Sequence, residues 1–145
     1  MTYLIALVLA IALTAVVIFS FNSSLNERQF LVEQKKAEIL TVITSINSSL
    51  RERETYDSGF LNRENWQETL QSNFDKPYFL QGFTVYFDDY GDGFFSCLMK
   101  EGENDTDIHY VAAKAIEYTS SIVKVENDCG GSESGLAIYI RRGIF

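Results

Sequence analysis

Hydrophobic and polar positions divide this chain into two regimes. Tyr3–Phe21 is apolar throughout except for Thr14 and Ser20, and no charged side chain precedes Glu27. A helix of about 20 such residues spans the ~30 Å hydrocarbon core of a bilayer. A core helix of this length would carry a polar face, and this run has none. Helical spacing continues from Leu25 to about Leu50, where Ile39, Val42, Ile43, Ile46 and Leu50 recur at intervals of three and four and Glu33, Lys36 and Ser45 occupy the opposite face. Between the two lies a polar collar, Phe21–Asn26. There Ser23, Ser24 or Asn26 caps a new helix, or the first helix runs straight through. Thr55–Gly59 breaks the pattern.

The remaining elements are shorter. Asn62–Asn73 reads as a helix with Trp66 and Leu70 on one face, Asn62 as its cap and Pro77 ending the region. Leu80–Phe87 and Phe94–Met99 are rich in aromatic and β-branched residues and flank the turn-forming Asp88–Gly93, which predicts a hairpin. Thr106 and Asp107 are caps for a third helix carrying Ile108, Val111, Ala112, Ala115 and Ile116. Strands Ile122–Val125 and Leu136–Ile140 follow, separated by a loop, Asn127–Gly135. The expected fold class is α+β: a transmembrane helix leading into an amphipathic helix, then a small, mostly antiparallel sheet with packed helices. The expected division is an anchor over 1–22, an amphipathic helix or linker over 23–54, and a soluble domain over 55–145.

Charge narrows the partners. The 145-residue chain carries a net charge of −8. Nucleic acid and anionic headgroups both need cationic patches, so neither fits. The compact basic pairs, Lys35–Lys36 and Arg141–Arg142, read as a solvated helix face and a chain end. No Lys or Arg precedes the apolar run, and Ala10 and Ala12 fall inside it, so the pattern reads as an uncleaved anchor rather than a cleaved signal.

Sidedness draws opposed indications. Arg28, Lys35 and Lys36 follow the run, and the positive-inside rule alone places the domain in the cytoplasm. An even cysteine count, Cys97 and Cys129, suggests one disulfide in an exported domain, two separate buried thiols being the other reading. With the Ser/Asn/Gly-rich loops, the cysteines favour the outer face. The expected arrangement is therefore a single span with the domain on the outer face of the membrane.

Candidate chemistry is sparse. A calcium loop beginning at Asp88 and including Asp89 and Asp92 needs oxygen ligands at its third and twelfth positions, which here are Tyr90 and Met99. His109, the single histidine, follows a helix cap and reads as structural or surface. Cys97 lies in an aromatic strand without the basic neighbourhood of a nucleophilic thiol. There is no Gly-rich phosphate loop and no GxSxG. No catalytic residue, metal or cofactor is indicated, and the expectation is a non-enzymatic protein that binds protein. The stripe Ile39, Val42, Ile43, Ile46 and Leu50 needs a cover, either the domain's own sheet or another subunit. It is the candidate surface for partner contact, a second copy of the chain being one such partner. Ala6 and Ala10 permit close helix contact within the membrane.

Two resemblances extend this reading. Apolar helix, amphipathic continuation, antiparallel sheet and a disulfide near the C-terminus together resemble a type IV pilin. Met1-Thr2-Tyr3-Leu4 also looks like the start of a mature type IVb pilin. The chain departs from that family at its fifth position, where Ile5 stands in place of glutamate; with Met1 as the initiator the family's charged leader is expected to be missing as well, whereas numbering from a mature end leaves the glutamate difference alone. In size and layout the chain is more specifically similar to the PilM proteins encoded with plasmid thin pili of the type IVb class, with Met1–Phe21 opening the chain and one domain running to Phe145. That resemblance implies an inner-membrane part of a pilus-assembly apparatus that contacts other assembly proteins or pilin, and implies no catalytic residue. A pilin-like or pseudopilin subunit is the alternative, and an anchored sensor or binding module a further one.

Overall fold

A computed structural model describes residues 2–74 and 82–142. Its dominant element is one helix, α1, spanning Thr2–Tyr56. The collar at Phe21–Asn26 does not interrupt it. The physical reason is that no glycine or proline occurs before Gly59, and isolated Ser and Asn residues weaken a helix without breaking it. The anchor and linker assigned from sequence are thus successive parts of a single helix. Its first part is bare: Leu4, Leu9, Leu13 and Phe19 are all exposed, and none of the apolar stretch is buried. It is long and apolar enough to cross a membrane. Within it Thr14 satisfies its own hydroxyl by donating to the Ala10 carbonyl at 2.7 Å.

The last third of α1 belongs to the domain. Asp57 and Gly59 turn the chain into a 3-10 turn over Phe60–Asn62, and helix α2 follows at Trp66–Phe74. Asn62 therefore closes the 3-10 turn instead of capping α2. Trp66 and Leu70 still share the buried face that the spacing indicated. Pro77, Leu80 and Gln81 lie outside the described residues.

Four strands follow: β1 (Thr84–Phe87), β2 (Phe94–Glu101), β3 (Val123–Glu126) and β4 (Gly135–Arg141), with helix α3 (Ile108–Thr119) between β2 and β3. The order across the sheet is β1-β2-β4-β3 and every pairing is antiparallel. The α+β class read from sequence is the class observed.

Register decides what each face carries. Val85, Leu98, Ile138 and Val125 form one cross-strand row, and Phe87, Ser96, Ile140 and Val123 form another. Both rows face the helices. They close a single core with Ile39, Ile43, Ile46 and Leu50 of α1, Leu70 of α2, and Ala112, Ala113 and Ile116 of α3. A register shift between Phe94 and Ser96 tucks Phe95 into the same core. Two ties fix the frame. Gln71 donates to the Val85 carbonyl at 2.7 Å, joining α2 to β1, and the Val125 amide donates to Glu117 at 2.9 Å, joining β3 to α3. β2 runs opposite to α1. Arg142, bonded to the Gly93 carbonyl, pairs with Glu54 at the far end of α1, whereas His109, beside Lys100, feels the charges of Lys35 and Glu38 nearer the apolar part.

Candidate functional site

The stripe singled out for partner contact has an occupant within its own chain. Ile39, Ile43 and Ile46 are 0% exposed, and Val42 and Leu50 are buried with them against the protein's own helix and sheet. The physical reason is that α1 is continuous. Its amphipathic part lies along α3, and the two helices close the core with the inner face of the sheet. These five residues are core, and a partner must use another surface.

Cys97 and Cys129 are bonded to each other, with Cα atoms 6.0 Å apart. Cys97 sits in the middle of β2 and faces away from the helices. The bond draws the loop after β3 over that outer face, where a second small cluster forms from Cys97, Met99 and Ala137, flanked by Tyr90, Cys129 and Tyr139. Among the residues read individually, Asp88 and Asp89 shape a turn: Asp88 accepts from the Asp89 amide at 2.8 Å and Asp89 from the Gly91 amide at 3.0 Å.

His109 lies at the start of α3, inside a polar cluster. Its Nδ1 is 3.0 Å from the Lys100 ammonium and 3.4 Å from Glu103, and its ring meets Phe83 edge-on. Burial, then Lys100, holds the imidazole below its ordinary pKa, with Glu103 opposing. A neutral imidazole accepting from Lys100 satisfies this geometry. The cluster joins the end of β2 to α3.

The outer sheet face has a different character. Tyr86, Cys97, Tyr139 and Lys124 form one cross-strand row there, and Thr84, Met99, Ala137 and Glu126 the next. Tyr90 meets Tyr139 edge-on at 5.0 Å, and Phe94 meets the same ring at 6.2 Å. The Tyr86 hydroxyl donates to Glu133 at 3.4 Å, and that of Tyr139 to the Asp128 carbonyl at 2.9 Å. These contacts leave two clefts that meet at Tyr90. The first, about 350 Å³, runs between Tyr86, Asp88, Tyr90 and the disulfide loop at Gly130–Glu133. The second, about 270 Å³, runs between Tyr90, Asp92, Phe94, Lys124, Glu126, Asp128 and Tyr139.

The electrostatics are consistently anionic. Burial, followed by the charge of Asp88, pushes the Tyr90 phenol up to about 12. Burial and then Glu133 raise Tyr86, and burial and then Asp128 raise Tyr139. All three phenols stay protonated at neutral pH. They present polar tips and aromatic faces beside the carboxylates of Asp88 and Glu133 and the carbonyl of Asp128, an arrangement suited to non-covalent recognition. Sequence reading missed this surface. Its available signal was the alternation Thr84, Tyr86 against Val85, Phe87, which marks Tyr86 as outward, but nothing local brings Tyr90, Glu133 and Tyr139 beside it. No protein-family model, curated protein or solved structure matches the chain.

Proposed function

We propose that this chain is a non-enzymatic component of the assembly apparatus of type IV thin pili, anchored in the inner membrane with its domain on the periplasmic side. The observation that carries the anchoring is α1 itself, bare and apolar in its first part and a stave of the domain core in its last. The Cys97–Cys129 bond supports an oxidising compartment for the domain. The pilus reading draws on the similarity of the opening segment, size and single-domain layout to the PilM proteins. Its function would be to hold a protein-binding sheet at a set height above the bilayer, for other assembly proteins or pilin.

A second reading has its own observation. A long helix, bare in its first half and then packed on a four-stranded antiparallel sheet with a disulfide near the C-terminus, is the layout of a type IV pilin. On that reading the bare half packs in a fibre, and Ile5 in place of the family glutamate makes it an atypical subunit.

Fractionation separates the two. Cells making the protein and the pilus are sheared, and fibres and inner membranes are probed for the chain. Retention in the inner membrane, with pili lost when the gene is deleted, is the expected result. Recovery with the fibres assigns it to the filament. Unchanged piliation in the deletion strain would sink both readings.

A further inference from the structure

We propose that the outer sheet face docks a basic segment of a partner protein, with an arginine or lysine side chain entering each of the two clefts that meet at Tyr90. The inference does not depend on the pilus reading, and neither fails with the other.

Among the described residues the face is open, because α1, α2 and α3 all pack on the other side of the sheet. Its two clefts, about 350 and 270 Å³, are at the small end for ligand sites and suit side chains rather than folded elements. Asp88 and Glu133 line the first, and Asp92, Glu126 and Asp128 the second. Lys124, the one cation among the described residues that line either, is committed to Glu126 at 2.7 Å. A guanidinium or ammonium would therefore meet carboxylate on the rim and aromatic ring on the floor, the two groups that attract it. The fold already uses the same chemistry next door, where the Arg141 guanidinium stacks 4.6 Å from the centre of the Phe94 ring.

Other occupants fit less well. Phosphates and anionic headgroups meet like charge. An uncharged protein surface would bury these carboxylates without partners, which is costly. A second copy brings a further net charge of −8.

The test uses the full chain in nanodiscs of zwitterionic phosphatidylcholine. Binding of a fluorescent Gly-Arg-Gly-Arg-Gly peptide is measured by anisotropy, with Gly-Glu-Gly-Glu-Gly as comparator. The site variant is Asp88→Asn/Asp92→Asn/Glu133→Gln. Its amides preserve the oxygen acceptors that serve Asp89 and Tyr86. The control variant, Glu52→Gln/Glu64→Gln/Glu68→Gln, removes the same charge from exposed positions on α1, on α2 and just before α2. The expected result is saturable binding of the arginine peptide alone, weakened about tenfold or more by the site variant and little by the control. Equal loss in both variants would reduce the effect to net charge and overturn the proposal. So would absence of saturation below about 1 mM at low salt, or self-association of the chain that the site variant abolishes.

Discussion

The hydroxyl of Tyr139 donates to the carbonyl of Asp128 at 2.9 Å, one residue before the half-cystine Cys129. The disulfide loop is thereby tied to both central strands, to β2 by the covalent bond and to β4 by the hydrogen bond. The loop is held as the wall of a cleft, although it has no regular structure of its own.

Removing the covalent join should cost global stability. Closing a loop of 32 residues is worth about 3–4 kcal/mol in the chain-entropy model. Cys97→Ser/Cys129→Ser, or reduction of the native chain, should lower the urea midpoint by a corresponding amount. A midpoint indifferent to reductant would show that the bond constrains little.

Ile43→Ala should destabilise the domain by about 2–4 kcal/mol, because the site is fully buried and a cavity remains. Leu13→Ala, in the bare part of α1, should leave domain stability unchanged. If Ile43→Ala were silent in the isolated chain and impaired only an assembly, the stripe would be a subunit contact after all.

Gly135 opens β4 at a point where a β-carbon would collide with the Lys100 carbonyl and crowd the backbone of Glu101 and Gly102. Backbone cannot move aside as a flexible side chain can. Gly135→Ala should cost about 1–3 kcal/mol, and thermal unfolding would read it. The exposed Gly131, with open space around its α-carbon, is the matched control and should tolerate alanine.

Tyr90 predicts the alkaline limit of the fold. Its phenol rises from the ordinary 10.0 to about 12 in the folded state, so folding favours the protonated form. That contribution is fully present below pH 10 and is lost as pH climbs from 10 toward 12. Denaturation midpoints across this window should fall less steeply in Tyr90→Phe than in the native chain. A spectrophotometric titration in which every tyrosine ionises near 10 would rule the effect out.

Much of the fold was legible because it rests on repeats of side-chain type. The spacing of Ile39 to Leu50 marked the buried face of α1, and the aromatic runs around Asp88–Gly93 marked the β1–β2 hairpin. Leu136–Ile140 lies within the observed β4, and Asp107 stands just before α3 as expected. What covers the stripe was not legible, since periodicity shows that a face is buried and not against what. Helix continuity through Phe21–Asn26 was left open because Ser and Asn serve equally as caps and as tolerated interior residues. The outer clefts were invisible for a topological reason. β4 enters between β2 and β3, so Tyr139 joins Tyr86 and Tyr90 only once the strand order is known. The collision that requires Gly135 is likewise a cross-strand contact.

The unbroken α1 makes the domain a lever. From the middle of the apolar run to the centre of the buried stripe, about 33 residues, the helix rises about 50 Å. Membrane helices tilt by about 20° on average, and that tilt alone would swing the domain sideways by about 17 Å. With no hinge at the collar to absorb the angle, bilayer thickness and neighbouring helices would aim the tyrosine clefts from below.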